Sequence, residues 1–193
     1  MNSISVFCGS GSGTNIIYQT IASDLGKELA KQKIKLIYGG AKIGLMGSVA
    51  EGALQNNGEV IGIIPDFLKT KEVVHDHLSE LIIVKTMHER KTKMNELSDG
   101  VIALPGGFGT MEEFFEILTW GQLGLHEKPM GLLNINGFYN SLIAMMDGMV
   151  KEGFLKEINR NMVLVGENIG ELISKMKGYT PPPIDKWITA ETT

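Results

Sequence analysis

Short apolar runs alternate along the whole chain with longer stretches in which apolar and polar residues mix at helical spacing. The apolar runs predict strands at Ser3–Cys8, Lys35–Tyr38, Val60–Ile64, Leu81–Val84, Val101–Leu104, Met130–Leu133 and Met162–Val165. The mixed stretches predict helices near Asn15–Gln32, Leu45–Asn57, Met87–Ser98, Thr110–Leu123, Phe138–Glu152 and Glu167–Lys177. A run such as Val-Ile-Ala-Leu at 101–104 has no polar face, so both sides of that strand are expected to be buried. Burial on both sides is the mark of a parallel sheet covered by helices. Strand and helix in near-regular alternation predict a doubly wound, Rossmann-like α/β fold, one domain over residues 1–178. Residues 179–193 include three successive prolines, which fix φ and lack amide donors, so they are expected to form a non-helical extension.

Composition narrows the picture. With 193 residues and 43% hydrophobic content, the chain can bury a full core as about one domain. A net charge of −4 argues against nucleic acid as a partner. The single cysteine, Cys8, excludes an intramolecular disulfide and leaves too few thiolates for a structural zinc site. It ends an apolar run and reads as a small core residue. No basic leader and no apolar run of ~18 residues is visible, so no membrane span and a cytoplasmic location are expected.

In a doubly wound sheet the ligand lies beyond the carboxyl ends of the strands, where the topology reverses. Three strand-to-helix loops are glycine-rich. The first, Cys8 to Thr14, fails the dinucleotide fingerprint because Thr14 stands where a third glycine is needed. It is either a flexible turn or a ligand contact through Gly9 and Ser10. The second, Tyr38 to Gly47, carries Gly39, Gly40, Gly44 and Gly47 ahead of a helix. It suits either an anion at a helix N-terminus or close helix–strand packing. The third, Leu-Pro-Gly-Gly-Phe-Gly-Thr-Met-Glu-Glu at 104–113, is the sharpest. Gly106, Gly107 and Gly109 allow unusual φ and a close ligand approach, Thr110 is expected to cap the following helix, and the amides from Gly107 to Thr110 to cradle a phosphate. Glu113 follows Thr110 by three residues. It is either the return arm of a capping box or a carboxylate placed beside the phosphate.

The stretch Thr86 to Leu97 places Met87, Met94 and Leu97 on one helical face with Arg90 among them. A guanidinium in an apolar stripe must reach a counter-charge or the crevice, or else snorkel outward. Lys91 and Lys93 flank it. His75-Asp76-His77 lacks a third metal ligand and reads as a surface loop. His88 and His126 read as structural or rim residues, and no nucleophile elbow or triad is present.

The motifs Tyr-Gly-Gly…Gly-Leu-Met-Gly, Met-His-Glu-Arg-Lys and Pro-Gly-Gly-Phe-Gly-Thr-Met-Glu-Glu, in this order, resemble the Lonely Guy (LOG) family, from the first strand to about Gly166. Ala41 departs from the family's usual third consecutive glycine. The resemblance implies a Rossmann-like phosphoribohydrolase that cleaves the N-glycosidic bond of an adenine-type nucleoside 5′-monophosphate, a cytokinin nucleotide or AMP. It implies Arg90 and Glu113 as the catalytic pair. Lys91, Gly107, Phe108, Gly109, Thr110, Met111 and Glu112 match the family's nucleotide-binding stretch. Glu72 and Thr119 fall at the spacing of its other substrate contacts. A homodimer with sites near the subunit interface is also implied, and Trp120, Leu123 and Leu125 are a candidate contact. Such chemistry needs neither a metal nor a redox cofactor: a fixed carboxylate stabilises the charge that builds at the anomeric carbon. Two other readings are a nucleotide-binding sensor or carrier without hydrolysis, and pyridoxal-phosphate lysine decarboxylation.

Overall fold

The computed structural model describes residues 1–69 and 74–183. Each of the seven apolar runs forms a strand: β1 (Ser3–Phe7), β2 (Lys35–Tyr38), β3 (Val60–Pro65), β4 (Glu80–Val84), β5 (Gly100–Ala103), β6 (Met130–Leu133) and β7 (Val163–Gly166). The six long amphipathic stretches form α1 (Ile17–Lys31), α2 (Gly44–Leu54), α3 (Met87–Leu97), α4 (Phe108–Gln122), α5 (Asn140–Lys151) and α7 (Ile169–Lys177). A short helix, α6 (Glu157–Arg160), was not foreseen, because a single turn is too brief to show a periodicity.

All strand pairs are parallel, in the order β4-β3-β2-β1-β5-β6-β7. The chain winds outward from β1 to β4 and then crosses back to lay β5 against β1, with Ser5 paired to Ile37 on one side and to Val101 on the other. That reversal opens a crevice between the carboxyl ends of β1 and β5, where Gly9 donates its amide to the Pro105 carbonyl at 3.1 Å.

Successive strand residues point to opposite faces, and both faces are covered. Ile4, Val6, Leu36, Tyr38 and Ile102 pack with Leu25, Leu29, Leu45, Val49, Leu172 and Ile173 of α1, α2 and α7. Phe7, Ile37, Ile63, Val101 and Ala103 pack with Met94, Phe114, Ile117 and Met146 of α3, α4 and α5. The edge strand β4 departs from this pattern and leaves Ile83 49% exposed. Among the described residues, no helix is long and apolar enough to cross a membrane.

Helix boundaries follow local chemistry. The Thr86 hydroxyl accepts the Glu89 amide at 3.0 Å, and the Glu89 carboxylate accepts the Lys85 amide at 2.7 Å, so a reciprocal cap starts α3. Asn168 and Glu171 repeat the arrangement at α7. α4 begins differently from expectation. Its N-cap is Gly107, and Thr110 lies inside the first turn, so no capping box forms between Thr110 and Glu113.

α1 and α2 touch backbone to backbone. A methyl group added at Gly26 would lie 2.0 Å from the Val49 carbonyl oxygen, and one added at Gly52 would lie 2.0 Å from that of Ser23. Gly26→Ala or Gly52→Ala must push the helices apart and is expected to cost about 1–3 kcal/mol. Gly148 in α5 has nothing within 4 Å. There the same exchange removes backbone freedom from the unfolded chain and is expected to stabilise by about 0.4–1 kcal/mol. Thermal melts of the three variants should therefore shift in opposite directions.

Candidate active site

A cavity of about 330 Å³ lies over the β1–β5 crevice. Four segments supply most of its lining, and Met46 of α2 and Leu68 add to it. The end of β1 and its loop bring Cys8, Gly9 and Ser10; the end of β2 brings Gly39; α3 brings Met87, Arg90 and Met94; and the start of α4 brings residues 107–110 and Glu113.

The 3.6-residue period of α3 explains Arg90. Met87, Arg90 and Met94 share the face turned to the sheet, as their spacing predicts, and Arg90 is only 5% exposed. Its guanidinium is only loosely engaged. Nη2 stands 3.9 Å from Glu113 Oε1, Nη1 is 4.0 Å from the Met87 sulfur, and the buried Nε has no hydrogen-bond partner among the described residues. A desolvated cation with open donors favours an anion or polar ligand at the same place. Gly39 makes the position possible: a Cβ there would meet Nη2 at 2.0 Å.

Glu113 is 9% exposed and faces the same cavity. With the capping box absent, its carboxylate belongs to the cavity wall rather than to the start of α4. The glycine cap supplies no side chain to the first-turn amides of α4, which remain available at the positive end of the helix dipole. Gly107 and Gly109 have open space where a Cβ would stand. None of the glycines 106, 107 and 109 adopts positive φ. Of the two uses expected of these glycines, left-handed φ is not taken up, while Gly107 and Gly109 leave room for a close ligand approach.

The predicted site residues separate into groups. Arg90, Glu113, Gly9, Ser10, Gly107, Phe108, Gly109 and Thr110 come together around the cavity, with Phe108 97% exposed on its rim. Lys91, Met111, Glu112, Thr119 and Gly40 do not line it. Gly40, at φ +81°, holds the second loop by accepting the His75 amide at 3.1 Å. Thr119 lies two turns further along α4, donating to the Phe115 carbonyl at 2.7 Å beside an apolar cleft formed with α5 and α6. Glu72 lies outside the described residues. His75 is not the surface residue expected of its loop. It is 3% exposed, with Nε2 3.1 Å from a Glu51 carboxylate oxygen.

Sequence reasoning missed Gly39, Met46, Leu68 and Cys8 as cavity residues. Cys8 carried a signal as the last residue of a strand leading into a glycine loop, and Gly39 as a member of the second glycine-rich loop. Burial pushes its thiol far up, the Glu113 carboxylate adds to that shift, and Arg90 opposes it. Cys8 should therefore remain a protonated thiol. At pH 8, iodoacetamide is expected to leave the native protein unlabelled and to label one site after denaturation, as read by intact mass.

A family model described as "Possible lysine decarboxylase" matches residues 46–176. The chain is 44% identical over 178 residues to cytokinin riboside 5′-monophosphate phosphoribohydrolase LOG1 of Arabidopsis thaliana, covering 92% of this chain and 84% of that one. It is 46% identical over 176 residues to the probable cytokinin riboside 5′-monophosphate phosphoribohydrolase LOGL3 of Oryza sativa subsp. japonica, covering 91% and 83%. The solved structure of the molybdenum cofactor carrier protein from Chlamydomonas reinhardtii matches with a TM-score of 0.69 at 21% identity, covering 91% and 96%. The molybdenum cofactor binding protein from Rippkaea orientalis matches with a TM-score of 0.69 at 24% identity, covering 91% and 95%. These two structures share the fold. An identity of 44–46% that runs through nine-tenths of the chain makes this protein a member of the Lonely Guy family of phosphoribohydrolases.

Proposed function

We propose that the chain hydrolyses the N-glycosidic bond of adenine-type nucleoside 5′-monophosphates, both cytokinin riboside monophosphates and AMP, to the free base and ribose 5-phosphate. One observation carries this reading. A buried guanidinium, whose Nε has no hydrogen-bond partner among the described residues, and a buried carboxylate 3.9 Å away share a cavity with a helix N-terminus that no side chain caps.

The chemistry follows from that placement. The 5′-phosphate accepts from the first-turn amides of α4, over the open positions of Gly107 and Gly109. The ribose then extends toward Arg90 and Glu113. As the bond between the anomeric carbon and the base nitrogen breaks, its electron pair leaves with the base and positive charge grows on the sugar. The Glu113 carboxylate stabilises that charge and orients a water molecule, whose oxygen bonds to the anomeric carbon and whose proton passes to the base. Arg90 holds sugar or phosphate oxygens. Phosphate binding away from the reacting bond supplies energy that positions the sugar. The decarboxylase description of the family model finds no support at this site: among the described residues, no lysine lines the cavity.

The reading extends to a homodimer. Nine residues of helix separate Thr110 from Thr119, about 13 Å along α4. Thr119 does not line the cavity of its own chain. Thr119 can serve as a substrate contact if a second copy supplies it, and the apolar cleft beside it, with Leu125 at 42% exposure nearby, suits such an interface.

Two experiments test these readings. Purified protein should release adenine from AMP and the prenylated base from isopentenyladenosine monophosphate, while adenosine, without the phosphate handle, reacts far more slowly. Glu113→Gln should lower kcat by about 10²- to 10⁴-fold with the fold intact by circular dichroism. Normal turnover by that variant removes Glu113 from the mechanism, and tight AMP binding without base release favours a carrier. For the dimer, mixing inactive Glu113→Gln chains with inactive Thr119→Ala chains should restore activity, because one site of each mixed dimer then has both residues. A monomer by light scattering would count against it.

A further inference from the structure

Arg90 and Lys91 are adjacent on α3, so their side chains leave the helix about 100° apart. Arg90 enters the cavity. Lys91 is directed to the face of α4 instead. Although only 7% exposed, it is fully engaged there: Nζ is 2.8 Å from Glu116 Oε2 and is also bonded to Glu112 Oε1. Glu112 and Glu116 stand one turn apart on α4 and bracket Glu113. None of the three ion-paired residues lines the cavity. Two neighbouring residues of α3 thus contact α4 at consecutive positions, 90 with 113 and 91 with 112 and 116.

The two contacts are unequal. At 3.9 Å, the Arg90–Glu113 contact is too long to hold two helices in register by itself. The Lys91 ammonium donates a short hydrogen bond to Glu112 and forms a 2.8 Å ion pair with Glu116, two carboxylates that would otherwise repel each other along one helix face. Burial pulls that ammonium down, but the two carboxylates outweigh it and hold the lysine above its ordinary value, so it stays charged.

We propose that Lys91 is a positioning residue: by clamping Glu112 and Glu116 it sets the rotation and separation of α3 and α4 that bring Arg90 beside Glu113, and it does not bind the nucleotide. The proposal rests on the hydrolytic reading of the cavity and assigns Lys91 and Glu112 a different task from the one the family motif implies.

The test compares wild type, Lys91→Met, Lys91→Arg and the double variant Lys91→Glu/Glu116→Lys, which again places one cation between two carboxylates. Each is measured for kcat and KM with AMP, for AMP affinity by calorimetry, and for melting temperature. A clamp predicts that Lys91→Met lowers kcat about 10- to 100-fold, as a displacement near 1 Å does. AMP affinity should stay within about threefold, since no ligand contact is lost. The double variant should recover much of both kcat and melting temperature, and Lys91→Arg should keep most of them. A phosphate ligand predicts the reverse: AMP affinity about ten- to a hundredfold weaker in Lys91→Met and no recovery on charge exchange. That result overturns the proposal, as does a Lys91→Met variant with unchanged kcat. If Lys91→Met does not fold, Lys91→Arg and the double variant decide by the same criteria. If wild type binds AMP but releases no base, the hydrolytic reading fails, and the affinity and melting-temperature measurements still judge the clamp.

Discussion

A guanidinium buried beside a crevice is the constraint around which the rest of this protein is arranged. Desolvating a cation is costly unless it finds an anion, and among the described residues Arg90 has a carboxylate oxygen at 3.9 Å and a thioether sulfur at 4.0 Å. α3 places it there by helical period, between two methionines that shield its stem. β2 ends in Gly39 because the guanidinium occupies the space a side chain would take. Sheet topology delivers α4 to the same place, with Glu113 one turn in from its start. The cost of burying Arg90 without a full set of partners is consistent with a site organised for an anionic, oxygen-rich ligand rather than for maximum stability.

Glycine performs distinct tasks around this centre. Gly26 and Gly52 let two helices meet at the backbone on the far face of the sheet, which fixes the frame. Gly39 clears the space for Arg90. Gly107 caps α4 without a side chain, leaving the first-turn amides for a ligand. The T-x-x-E pattern in the third loop and the one at Thr86 look alike in sequence, yet only Thr86 and Glu89 form a reciprocal cap. The difference lies where the helix begins: α4 starts two residues before Thr110, so the threonine comes too late to cap it.

The same seven-stranded architecture serves proteins whose names describe quite different tasks, since molybdenum cofactor carriers match this fold at 21–24% identity. The architecture supplies a crevice at the strand-order reversal, and the residues in it decide the chemistry. The features in the crevice here are the acid–guanidinium pair and the uncapped helix end, with an ion cluster on α3 and α4 outside the cavity.

Local pattern alone determined the alternation of strand and helix, the parallel sheet and the presence of Arg90 in an apolar stripe. Each of these depends on spacing along the chain and on the need to bury apolar faces. The meeting of Arg90 with Glu113 was suggested only by the resemblance of the motifs, because no local rule relates positions 23 apart. Tertiary structure decided the rest. Cys8 became part of the cavity wall, Lys91 turned from the cavity to Glu112 and Glu116, and His75 was buried against Glu51. Those outcomes depend on which helix lies across which strand end and at what rotation, a property of the packed whole that no single stretch of residues encodes.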